Sequence, residues 1–190
     1  QTQIEGRNPS LNPLVVMTPK SGWWTCTSER GGGITIWLNS LRHLSKYKPL
    51  RTVIFTANSG HELSHLGLDH FLENNSSLVK GAHAWVHLGA NFAAKKGQVL
   101  WQASTQKYMD LGLLELRKEN IEGIQSWPVS SRPLGEARNI FDGNGDYISL
   151  LGSNPLFHHP DDKWPESIDM DKLVKLNNMM LKMISSMANN

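Results

Sequence analysis

Five short apolar runs, each closed by turn residues, alternate along this chain with segments of helical period. No other feature of the sequence restricts its fold as much. NPLVVMT (12–18) and RTVIFTAN (51–58) are β-branched and lack period-two alternation, so they read as strands buried on both faces. HAWVHLGANFA (83–93), GQVLWQAS (97–104) and DYISLLGS (146–153) read as further strands, the first two joined as a hairpin through Lys95-Lys96-Gly97. Helical spacing covers 34–47, 62–74, 105–120 and 167–187, and GEARNIF reads as a short helix. Ser167 is the expected N-cap of the last helix, with Asp169 and Asp171 in its first turns. SERGGG reads as a glycine-rich loop before the first helix, and Ile121–Arg132 as turns. Buried strands alternating with helices imply an α/β fold with a mainly parallel sheet. In such sheets, sites form in loops beyond the carboxyl ends of strands, which selects loops 18–33, 58–62, 87–91 and 153–163.

The chain is expected to form a single domain over residues 1–190. Its basic residues are scattered and do not form a stripe with interleaved aromatics, so nucleic-acid binding is not indicated. No apolar run approaches the roughly 20 residues of a membrane-spanning helix. Cys26 is the only cysteine, which excludes an internal disulfide and a thiolate zinc cluster, and it reads as a small buried hydrophobe. Gly31-Gly32-Gly33 is not followed by GK[ST], so it is not read as a phosphate loop. Trp23 and Trp24 read as packing residues or as the cover for a partner domain, with a pocket lining as the alternative.

His61-Glu62-Leu63-Ser64-His65 matches HExxH, the pattern that sets two zinc-binding histidines on one helix face with a glutamate as general base. The context opposes that reading. Strand 51–58 ends too close to His61 for His61 to lie well inside a helix, and Gly67 and His70 each fall one place early for HExxHxxGxxH. His65 and His70 are then helix-surface or partly buried histidines.

The order of the four selected loops resembles the co-catalytic zinc aminopeptidase family, which includes bacterial leucyl aminopeptidases, glutamate carboxypeptidases, glutaminyl cyclases and the transferrin-receptor ectodomain. RTVIFTANSGHELSHLGLDHF resembles the family's strand, Glu-Glu turn and helix. LLGSNPLFHHPDDKWPESIDMDKL resembles its terminal histidine loop and last helix, and VVMTPKSGWW with SERGGGITIWLNSLRHL its first two motifs. The resemblance implies a three-layer αβα sandwich with a mainly parallel mixed sheet, lacking an N-terminal part of the family domain.

Carried over position by position, the family's motifs meet a changed site. The first-motif histidine and aspartate fall on Thr18 and Lys20, with Ser21 retained. The bridging aspartate falls on Glu29, followed by Arg30; the general-base glutamate falls on His61 and the ligand glutamate on Glu62. The later aspartate ligand falls near Gly89, and the terminal histidine on His158. One half of a dinuclear centre is therefore without donors. The other half keeps Glu29, Glu62 and His158, a set able to hold one zinc, beside His61 as the base. The resemblance leaves two cofactor states open, one zinc or none. It implies either a degenerate domain that binds a peptide or protein partner, or a single-metal hydrolase. It places the chain in an extracellular, periplasmic or membrane-ectodomain setting.

Overall fold

A computed structural model describes residues 1–190. Seven strands form one sheet in the order β1-β3-β2-β4-β7-β5-β6. They are β1 (Thr2–Ile4), β2 (Leu14–Pro19), β3 (Val53–Asn58), β4 (Ala84–Leu88), β5 (Val99–Ala103), β6 (Ile124–Ser126) and β7 (Tyr147–Gly152). The central strands β3, β2, β4 and β7 are parallel; β1 joins one edge antiparallel to β3, and β5 runs antiparallel to β7 with β6 parallel beyond it. The helices are α1 (Thr27–Lys46), α2 (Leu66–Asn74), α3 (Leu78–Gly81), α4 (Gln106–Lys118), α5 (Ala137–Asp142) and α6 (Met170–Asn189).

Strand side chains alternate between two cores, as a sheet covered on both faces requires. Leu14, Val16, Val53, Phe55, Val86 and Leu88 pack with residues of α1, α4 and α6 in a cluster of 28 buried residues. Val15, Met17, Ile54, Trp85 and Tyr147 face the other way, against Leu68 and Phe71 of α2 and Ala137 and Ile140 of α5. The result is the three-layer αβα sandwich.

Four expectations are corrected. SERGGG is not a loop: α1 starts at Thr27 and runs through all three glycines. Tertiary packing overrides their poor helix propensity, because a Cβ on Gly33 would lie 2.6 Å from Thr18 Oγ1 and 2.8 Å from the Leu88 carbonyl. The Lys95-Lys96-Gly97 hairpin does not form, since β4 pairs with β2 and β7 while β5 reaches the sheet on the far side of β7. The turn-rich segment Ile121–Arg132 contributes edge strand β6. Helix α6 begins three residues later than expected, with the Asp169 carboxylate, not Ser167, accepting from the Lys172 amide.

Candidate functional site

The loops beyond β2, β3, β4 and β7 meet at one end of the sheet, above the first turn of α1. Asp162 holds that turn in place. Its carboxylate accepts from Ser28 N at 2.9 Å, Ser28 Oγ at 2.6 Å and Glu29 N at 2.9 Å. Burial raises the Asp162 pKa, and these bonds outweigh it to leave a net lowering. The same contact ties the loop after β7 to α1 and carries His158 over Glu29, with His158 Nε2 at 3.5 Å from Glu29 Oε1. Asp161 pairs with His159 and Lys163.

Glu29, Glu62 and His158 come together, with ligand atoms within 4.8 Å of one another. Arg30 lies among them. Its Nη2 is 2.8 Å from Glu29 Oε1 and donates to Glu62 Oε1 at 2.9 Å, and its Nε donates to the Ser21 carbonyl. Arg30 and Glu29 are almost fully buried. The two carboxylates respond differently. Burial pushes the Glu62 pKa up, but its own backbone amide, Arg30 and Ser21 reverse that and lower it. Glu29 is raised: burial dominates over the attraction of Arg30 and His158. Neither Glu29 oxygen accepts a hydrogen bond of normal geometry, and Arg30 Nη1 has no acceptor.

Ser21 organises the turn opposite. Its hydroxyl donates to Glu62 Oε2 at 3.1 Å and accepts from the amides of Gly60 and His61. Thr18 donates its hydroxyl to the Leu88 carbonyl at 2.8 Å, and Lys20 is exposed. Gly89 offers no donor, and its place is crowded by His87 and Leu151.

The HExxH stretch is not one helix. His61–Leu63 form a 3₁₀ turn, Ser64 and His65 adopt left-handed φ values of 57° and 68°, and α2 starts only at Leu66. The expected helix over 62–74 is shortened accordingly. His65 is buried, unlike a helix-surface histidine, and stacks on His61 with ring centroids 5.0 Å apart. Its nitrogens engage Asn139 and Arg138, and burial lowers its pKa.

Glu136, which the sequence reasoning passed over, anchors a second network. It is 2% exposed, with Oε1 at 2.6 Å from His61 Nδ1 and Oε2 at 3.1 Å from His87 Nε2. His87, fully buried, also contacts Ser149 Oγ through Nδ1 at 2.8 Å. Burial raises the Glu136 pKa, but the two imidazole hydrogen bonds prevail and hold the carboxyl well below its ordinary value. The signal available was indirect: a histidine inside a buried strand, His87, requires polar partners. Gly135, at φ 62°, makes the approach feasible, since a Cβ there would sit 2.7 Å from the His87 ring. Beside this network lies a cavity of about 380 Å³, bordered by His61, Asn91, Glu136, Asn154 and Phe157.

The cleft rim is aromatic. Trp23 and Trp24 are 51% and 64% exposed, so neither packs into the core; Trp23 stands edge-on to His158, which stacks on Phe157. Cys26 is only partly buried.

No family model matches the sequence. Over 80 residues it is 38% identical to a vacuolar membrane protease of Vanderwaltozyma polyspora, a stretch that is 40% of this chain and 8% of that protein. The structure superposes on BSAP, a zinc aminopeptidase from Bacillus subtilis, with a TM-score of 0.82 at 14% identity, over 99% of this chain and 49% of the other. An aminopeptidase from Aneurinibacillus sp. strain AM-1 gives 0.80 at 12% identity (98% and 47% covered). A peptidase M28 precursor from Shewanella amazonensis gives 0.77 at 14% (99% and 44%). The chain thus spans about half the length of these structures.

Proposed function

We propose that this chain, which has the fold of the zinc aminopeptidases, has given up metal-dependent peptide hydrolysis and serves as a binding or structural module for a peptide or protein. One observation carries the reading: the Arg30 guanidinium stands where a cation bridging Glu29 and Glu62 would be. As arranged, these residues do not fit a zinc ion. A guanidinium stays protonated at any working pH. At a separation of about 4 Å its repulsion of a doubly charged ion is roughly 8 kcal/mol for an effective dielectric constant near 20. The Glu62 oxygens are already engaged by Arg30 and Ser21. At the other half of the family centre, Thr18 is committed to a main-chain carbonyl and Gly89 has no side chain, so no second donor set replaces the lost one.

The exposed aromatic rim supports a binding role, since exposed tryptophans beside a cleft supply contact area at low entropic cost. No helix is long and apolar enough to cross a membrane. A setting on the lumenal or external side of a membrane follows the resemblance and suits the vacuolar membrane protease relative. The test is direct. Purified protein, incubated with zinc and desalted, is expected to carry no stoichiometric metal and to leave aminoacyl-p-nitroanilides intact. Turnover of those substrates, abolished by Glu62→Gln, would overturn the proposal.

A second reading, a hydrolase using Glu29, Glu62 and His158 with His61 as base, has one feature in its favour. Glu136 fixes His61 Nδ1 at 2.6 Å beside the 380 Å³ cavity. A carboxylate so placed orients the imidazole and fixes its tautomer, leaving Nε2 to accept a proton. This reading requires turnover that falls together in His61→Ala and Glu136→Gln.

A further inference from the structure

Resting on the proposed loss of metal, we infer that Arg30 is an internal substitute for a cation, and that this one side chain is what closes an otherwise assembled zinc-binding half-site. Three observations point there. Glu29, Glu62 and His158 already lie with their ligand atoms within 4.8 Å of each other, a carboxylate–carboxylate–imidazole set of the kind that binds zinc. The positions are held from outside the set: Asp162 fixes the backbone of Glu29, and Ser21 fixes both Glu62 and the amides of its turn. Finally, Arg30 neutralises the site without satisfying it. Glu29 is 1% exposed, with Arg30 Nη2 at 2.8 Å from Oε1, yet neither of its oxygens accepts a hydrogen bond of normal geometry, and Arg30 Nη1 lacks an acceptor. A side chain evolved with its pocket for ideal pairing would present a bidentate fork to one carboxylate. Arg30 instead lays Nη2 between two carboxylates, directs Nε to the Ser21 carbonyl and leaves Nη1 without an acceptor.

The consequence is an exchange of cations. In the wild-type chain, folding supplies the positive charge through Arg30, so the arrangement of α1 against the turn after β3 does not depend on metal. Without that charge, two carboxylates remain in a poorly solvated place, and a zinc ion becomes the available counter-charge. Zinc then binds the folded form and stabilises it by mass action.

Arg30→Gln retains a hydrogen-bond donor near Glu62 and removes the charge; Arg30→Lys keeps a charge as a control. The readouts are bound zinc after desalting and the thermal midpoint with and without zinc. Arg30→Gln is expected to bind one zinc per chain and to gain roughly 5–10 °C when zinc is at a hundred times its Kd. Both effects should vanish in Arg30→Gln/Glu29→Gln and in Arg30→Gln/His158→Ala, and Arg30→Lys and wild type should show neither. If Arg30→Gln does not accumulate folded, recovery by zinc but not magnesium supports the inference. No recovery, or folded Arg30→Gln that takes up no zinc, overturns it while leaving the metal-free function intact. Stoichiometric zinc on the wild-type chain, lost in Glu62→Gln, overturns both.

Discussion

Replacing Glu136 by alanine tests the second network most sharply. The carboxylate is 2% exposed and bonds His61 at 2.6 Å and His87 at 3.1 Å, and His87 is itself fully buried. A hydrogen bond to a charged group contributes about 1.5–3 kcal/mol, so losing two removes roughly 3–6 kcal/mol. That is a large fraction of the roughly 5–15 kcal/mol that holds a domain folded. Urea unfolding followed by tryptophan fluorescence measures it directly, the chain having 7 tryptophans. The pH dependence supplies an independent check. The Glu136 pKa is lowered well below its ordinary value in the folded state, so its contribution is complete above the unfolded value near 4.3 and is lost as pH falls through the folded one. Wild type should therefore exceed Glu136→Ala at pH 7, and that margin should shrink as the pH falls below about 4. A margin below about 1 kcal/mol at pH 7, or one that does not change down to pH 3, refutes the assignment of a buried, ionised carboxylate.

Asp162→Ala removes the acceptor of two α1 amides and the Ser28 hydroxyl, and should cost about 1–2 kcal/mol in chemical unfolding. Because the Asp162 pKa is also lowered, that loss should narrow as acid protonates the wild-type carboxylate. Gly33→Ala should destabilise by roughly 1–3 kcal/mol, since the new methyl meets Thr18 and the Leu88 carbonyl at 2.6 and 2.8 Å. Gly31→Ala, with nothing within 4 Å, should stabilise by roughly 0.5–1 kcal/mol; calorimetry on the pair separates packing from helix propensity. Arg51→Ala should lower the thermal midpoint by several degrees, because its guanidinium binds the carbonyls of Met187 and Asn12 and that of Asn190 at the end of α6.

The sequence alone determined the layered α/β class. Val15, Val16, Val53 and Ile54 are local statements of burial, because a strand covered on both faces must be apolar at consecutive positions. It also selected the segments that bring Glu29, Glu62 and His158 together, although Glu29 lies in the first turn of α1 and not in the expected loop. Tertiary structure decided the rest. Whether the three glycines form a loop or a helix depends on how close α1 comes to β4, a distance no local propensity encodes. Strand order is likewise non-local: β5 lies beyond β7, away from the strand that precedes it in the chain. Glu136 is remote in sequence from His61 and His87, and only the packing of α5 against the sheet makes it their partner. Arg30 could be read beforehand as a mismatch with a family pattern. Its position between Glu29 and Glu62 follows from the orientation of the first turn of α1, and Asp162, 132 residues further along the chain, fixes that orientation.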